Sequence, residues 1–255
     1  MEGYAIFTDY TQLNKQQAND WVQDCSQLAE EAFRNCSNSA RLLGNLLVLE
    51  QYCHTVRQGL AENEEEPVPI LQESIDLLWN FLYGTVQPKE FEDFANDLYA
   101  CVLEYMVGEE LTDEQQEFYE NHFQDVPDYT CQWNVLSWIS TLLMELTAIY
   151  GGKVEEEFLD CEQIDFVELD EMFNFFSDAC MELAEVECQS NRAADVMQAF
   201  EDVCVTPLFQ SVVSNVQKAL KDAWSAEPEK YQTLREIYQK NGILPDEYAA
   251  ELLEF

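Results

Sequence analysis

Cys131-Gln-Trp-Asn-Val-Leu-Ser-Trp-Ile-Ser-Thr-Leu-Leu-Met-Glu-Leu-Thr-Ala-Ile-Tyr150 decides the fold class of this chain. Trp133, Leu136, Trp138, Ile139, Leu142, Leu143, Leu146 and Ile149 recur at the three- and four-residue spacing of an α-helix and cover more than one of its faces. A helix that is apolar all round is covered by neighbours on every side, so residues 131–150 predict the central helix of a bundle. Gly151-Gly152 ends it.

The same period runs outward in both directions. Towards the N-terminus it predicts helices over Gln17 to Cys36, Ser39 to Leu60 and Ile70 to Leu82, with the Pro-containing acidic loop Asn63 to Pro69 before the third. Pro88 suits the first turn of a fourth helix carrying Phe91, Phe94, Leu98, Cys101 and Tyr105 and stopping near Gly108. Thr112 with Gln115 forms a capping box for a short acidic fifth. Beyond residue 150 the pattern predicts helices over Ile164 to Cys188, Asn191 to Val203, Leu208 to Trp224, Glu227 to Gln239 and Asp246 to Leu253. Strand-like alternation is confined to Tyr4 to Phe7, and eight glycines are too few for a turn-rich β protein. No linker composition and no internal repeat divides the chain. The expectation is one all-α domain, residues 1–255, of about ten helices around residues 131–150.

Charge supplies the main functional signal: 51 Asp and Glu stand against 12 Lys and Arg, a formal net charge of −39. A disordered acidic segment lacks a core, whereas this chain is 47% hydrophobic and carries 15 Phe, 12 Tyr and 5 Trp, so it folds as an anion. Spread evenly, one net charge would occupy roughly 300 Å². Neighbouring charges would then lie beyond the Debye length of about 8 Å, so clustering decides their effect. Between Gln58 and Asn191 the only basic residues are Lys89 and Lys153, while five of the twelve fall between Lys218 and Lys240. Such a field repels nucleic acid and anionic lipid, both of which are bound through Lys and Arg. It attracts basic proteins, whose association it accelerates.

The densest acidic stretch contains Glu109, Glu110, Asp113, Glu114, Glu117, Tyr119, Glu120, Asp125 and Asp128, with Glu64, Glu65 and Glu66 and Glu155, Glu156 and Glu157 as flanking charge. Phe118, Tyr119, Phe123 and Tyr129 lie among these carboxylates, and rings beside acids suit a Lys- or Arg-rich surface through ion pairs and cation–π contact. These residues are the candidate partner-binding set.

Patterns that carry catalysis are sparse. There is no glycine-rich phosphate loop. His54 follows Glu50 by four residues, whereas di-iron bundles use Glu-x-x-His at three and need it twice. His54 and His122 read as structural or solvated residues, and no nucleophile is marked beside either. The nine cysteines contain no C-x-x-C pair, so no zinc site or disulfide framework is expected, and most read as buried reduced thiols. Glu109-Glu110-Leu-Thr-Asp113 and Glu156-Glu157-Phe-Leu-Asp160 approach the E-E-x-x-E pattern by which helical pyrophosphohydrolases hold Mg²⁺. At one acid in five residues such a pattern arises by chance, and Lys153 is the one nearby cation to clamp a phosphate. No catalytic residue, metal ligand or cofactor is assigned.

Leu42-Leu-Gly-Asn-Leu-Leu-Val-Leu-Glu-Gln-Tyr52, then a loop, then Leu71-Gln-Glu-Ser-Ile-Asp-Leu-Leu-Trp79-Asn-Phe-Leu82, resembles small all-helical bacterial proteins of a family that includes immunity proteins of polymorphic-toxin systems. In that family a helix with a Glu-Arg pair precedes an Ile/Leu-Asp-x-Leu-Trp helix; here Gln51 stands at the arginine position. The resemblance implies a protein that neutralises a toxin by binding it, and it transfers no catalytic residue. The expected function is a non-catalytic acidic binding protein with a basic partner. The alternatives are a DNA-mimic decoy of nucleic-acid-binding proteins and a Mg²⁺-dependent nucleotide pyrophosphohydrolase. The start, Met1 to Tyr10, lacks the features of a secretory signal, and no apolar run reaches membrane-spanning length, so the expected location is cytoplasmic.

Overall fold

The computed structural model describes residues 3–123, 129–183 and 200–251. The fold is all-α, with no strand among the described residues. In chain order run α1 (Lys15–Gln23), α2 (Cys25–Phe33), α3 (Asn38–Glu62), α4 (Pro69–Leu82), α5 (Glu92–Val107), α6 (Asp113–His122), α7 (Thr130–Ile149), α8 (Glu168–Leu183), α9 (Pro207–Trp224) and α10 (Tyr231–Tyr238), with short 3-10 turns between several of them. They pack into two compact units, Met1–Glu62 with Asp165–Phe255 and Asn63–Ile164.

In the first unit α3 packs against α9 and α10, and every residue from Arg41 to Cys53 is buried. Each fully buried leucine there contributes roughly 1.5–3 kcal/mol. Gly44 is small for a reason: a Cβ at this position would lie 3.1 Å from the Phe166 ring. Two charges enter this core with partners. Arg41 pairs with Glu30, donates to the Phe33 carbonyl at 3.2 Å and lies over the Phe166 ring. Glu50 accepts from Arg235 Nε at 3.1 Å and Gln239 Nε2 at 3.2 Å, and Arg57 approaches its other oxygen at 3.7 Å.

In the second unit α7 packs against α4 and α5, and α6 packs against α5. The sequence places α7 at a centre, and in this unit its Trp133, Leu136, Trp138, Ile139, Leu142, Leu143 and Leu146 are all buried. Pro69 opens α4 at the position where a missing N–H costs nothing. The preceding Val68 N–H donates to Gln132 Oε1 of α7 at 3.1 Å.

Several boundaries differ from the periodicity. The helix expected over Gln17 to Cys36 is two, because Asp24 leaves helical geometry at φ −105°, ψ 6°. Pro88 starts a 3-10 turn, Pro88–Glu90, and α5 begins at Glu92. Tyr4 to Phe7 curls into a 3-10 turn with Ile6 buried, since no strand among the described residues pairs with it. Asp246 opens a 3-10 turn, Asp246–Tyr248. The helix expected over Asn191 to Val203 and the end of that over Ile164 to Cys188 lie largely outside the described residues. No helix among the described residues is long and apolar enough to cross a membrane.

Candidate partner-binding cleft

The second unit holds 24 Asp and Glu against Lys89 and Lys153. Two chain reversals decide where that charge collects. The first is Gly108, which ends α5 in the left-handed region at φ +75°, where a side chain would be strained, and donates its N–H to the Glu104 carbonyl at 2.9 Å. Glu109, Glu110 and Leu111 follow at once. Thr112 then caps α6 reciprocally: its N–H donates to Gln115 Oε1 at 2.9 Å, and the Gln115 N–H donates back to Thr112 Oγ1 at 3.3 Å. Asp113 and Glu114 occupy the first turn of α6, where the helix dipole favours each by roughly 0.3–1 kcal/mol.

The second reversal follows α7. Gly151 takes φ +76°, and the Gly152 N–H donates to the Thr147 carbonyl at 2.8 Å. A Cβ at Gly152 would meet Thr147 Cγ2 at 2.5 Å. The chain then lies along α5. Asn96 Nδ2 donates to the Lys153 carbonyl at 3.0 Å, Tyr99 Oη donates to the Glu157 carboxylate, and Phe158 meets the Tyr99 ring edge-on at 5.3 Å and 85°.

These contacts bring Glu109 and Glu110 together with Glu155, Glu156 and Glu157 around one cleft of about 520 Å³. All five glutamates are exposed. Tyr99, Ala100, Leu103 and Leu111 supply its apolar lining, Thr112 and Gln115 complete it, and no Lys or Arg is among these lining residues. Sequence reasoning missed the α5 contribution. Its signal was the stripe Ala100, Leu103, Val107 running into the Gly108 stop.

The other candidate residues sit elsewhere. Asp113, Glu114, Glu117 and Glu120 are exposed on α6 and do not line the cleft. Partial burial, then the neighbouring Asp93 and Glu114, push the Asp97 carboxyl of α5 above its usual range. Tyr119 is half-buried and stacks on Phe123 at 5.3 Å; Phe123 stacks on Trp133 at 5.0 Å, and Trp133 on Tyr105 at 4.1 Å. Phe118 packs on Phe94 of α5 at 5.6 Å. These rings fasten α6 to its neighbours. Glu64 is exposed at φ +61°, and Glu66 is exposed. Half-buried Glu65 accepts the Tyr129 hydroxyl, which holds that phenol above its usual range. Asp125 and Asp128 lie outside the described residues.

His54 is a structural residue: its Nδ1 lies 2.9 Å from the Gln239 carbonyl and its Nε2 3.5 Å from Asp246. His122 rests against the Phe118 ring at 4.4 Å. Cys25, Cys53, Cys101, Cys131, Cys180 and Cys204 are free and buried, and desolvation pushes Cys53, Cys131 and Cys180 up to about 12. Among the described residues no group of three or more His, Cys, Asp or Glu is placed to hold a metal ion.

Compared with protein-family models, with characterised proteins and with solved structures, the chain matches none.

Proposed function

We propose that this chain is a non-catalytic binding protein that holds a basic protein through its second unit, and that the partner is a toxin domain which it neutralises. One observation carries the basic-partner reading: two glutamate runs separated by 45 residues line a single cleft that has no cation in its wall. Carboxylates crowded in this way repel one another, and a Lys- or Arg-bearing surface relieves the repulsion on docking. The toxin reading rests on the resemblance of residues 42–82 to immunity proteins, and the charge agrees with it, since an acidic inhibitor suits a basic nuclease.

The test is affinity capture from the native lysate at about 150 mM and about 500 mM salt, using the wild-type chain and a Glu109→Lys/Glu156→Lys variant, with bound proteins identified by mass. A single basic protein held by the wild type at both salts, and lost by the variant, is the expected result. A broad set of DNA- and RNA-binding proteins released together at high salt would replace the immunity reading with the decoy. A wild type and a variant that capture the same proteins would overturn the role of the cleft.

A further inference from the structure

The cleft is not a purely charged notch. Its walls carry carboxylates, but Ala100, Leu103 and Leu111 give it an apolar lining. Exposed apolar residues also neighbour the lining residues in the chain. Val107 lies four residues after Leu103 and so on the same stripe of α5, and it is 66% exposed. Met106 beside it is 49% exposed, and Leu159, just beyond the turn that carries Glu155, Glu156 and Glu157, is 66% exposed. Single exposed apolar residues are ordinary, but here three of them flank one acidic cleft in the sequence.

We infer that the cleft accepts a basic amphipathic segment of the partner, an apolar side chain of which enters between the two acidic walls while flanking Lys or Arg side chains meet the glutamates. This inference rests on the basic-partner reading and names the chemistry of the partner's contact. Charge complementarity argues for the occupant: five exposed carboxylates demand cations. A second copy of this chain, itself at −39, is repelled by the same field. The apolar lining argues for the pattern, because a segment of cations alone would leave Ala100, Leu103 and Leu111 without an apolar partner. An amphipathic segment satisfies both in the way that helix-in-groove recognition combines them. The two parts respond differently to salt: rim ion pairs are screened, whereas burial of an apolar side chain is not. Burying one leucine-sized side chain is worth about tenfold or more in affinity.

Three fluorescent peptides of about 18 residues and equal Lys content separate the parts: one with Leu at helical spacing, one with the same residues scrambled, and one with every Leu replaced by Gln. Binding is measured by anisotropy at about 100 and about 500 mM salt to the wild type, Val107→Asp, Glu109→Lys/Glu156→Lys and, as a control on α4, Glu73→Lys. The patterned peptide is expected to bind the wild type at least about tenfold more tightly than the other two at high salt. Val107→Asp should erase that advantage, Glu109→Lys/Glu156→Lys should weaken all three peptides, and Glu73→Lys should change nothing. Equal affinity and equal salt loss for the three peptides would overturn the inference and leave the basic-partner reading standing. Peptide binding indifferent to Glu109→Lys/Glu156→Lys would overturn both.

Discussion

Glu50 illustrates how single residues set the stability of this fold. It is fully buried within α3, and burying a carboxylate is tolerable only with cationic and hydrogen-bonding partners. Arg235 and Gln239 supply them at 3.1 and 3.2 Å, with Arg57 at 3.7 Å. Arg235 lies on α10 and Gln239 at its C-cap, so these bonds tie that helix to α3. Arg235→Met should therefore cost about 3 kcal/mol, read as a lower urea midpoint, and Glu50→Gln in the same chain should recover most of the loss. Equal stability of Arg235→Met and wild type would refute the pairing. Asp97 acts in the opposite sense. Its folded pKa lies above the ordinary carboxylate value of about 3.9, so the folded state holds the proton more tightly than the unfolded chain. Stability then falls as pH rises through that window and stays lower above it. Asp97→Asn should raise Tm at pH 7 by about 1–3 °C, a gain under about 1 kcal/mol after solvent screening, and the gain should vanish near pH 3. Calorimetry at the two pH values checks this, and a gain that persists in acid would contradict it.

At the scale of elements, the turn after α7 is the piece on which the cleft depends. Tyr99 holds it twice, through its hydroxyl on Glu157 and its ring on Phe158. Tyr99→Phe keeps the ring contact and removes the hydroxyl, so stability should change by no more than about 1.5 kcal/mol. Partner affinity should nonetheless fall several-fold, because the Glu157 carboxylate loses the hydroxyl that orients it in the cleft. Titration calorimetry with the captured partner, beside urea unfolding, separates the two effects, and unchanged affinity would show that the turn is held by other means. The helices themselves were legible. Apolar period located α4 and α7 to within a residue or so of their ends, since Pro69 and Gly151 mark those ends chemically. The break at Asp24 was not legible, because its cause is a local backbone angle at a residue that interrupts no apolar stripe. The cleft was half legible. Charge density singled out both glutamate runs, but what joins them is Asn96 on a carbonyl, Tyr99 on a carboxylate and Phe158 on a ring, and none of these leaves a spacing pattern. Charge density also favoured α6, whose carboxylates lie outside the cleft and whose rings are engaged in stacking.

Across the whole chain the two units treat positive charge differently. Among the described residues, six of the first unit's ten cations make contacts within it: Arg41 with Glu30, Arg57 and Arg235 with Glu50, Lys15 with Asp202, Lys218 over the Tyr238 ring and Lys221 over that of Phe7. The second has Lys89 and Lys153 against 24 acids. The negative charge is densest in residues 63–164, a net −22 over 102 residues against −17 over 153 in the first unit, and such a field steers a basic protein at low salt and is screened within about 8 Å at physiological salt. The central claim is that the glutamates of the cleft do the steering. The most direct measurement is the association rate of the captured basic protein at about 50 and about 500 mM salt, for the wild type and for a variant with Glu109, Glu110, Glu155 and Glu156 changed to Lys. The wild-type rate should fall about tenfold or more across that range, and the variant should associate slowly at both salts. Association of the variant at the wild-type rate, with the same dependence on salt, would contradict the account.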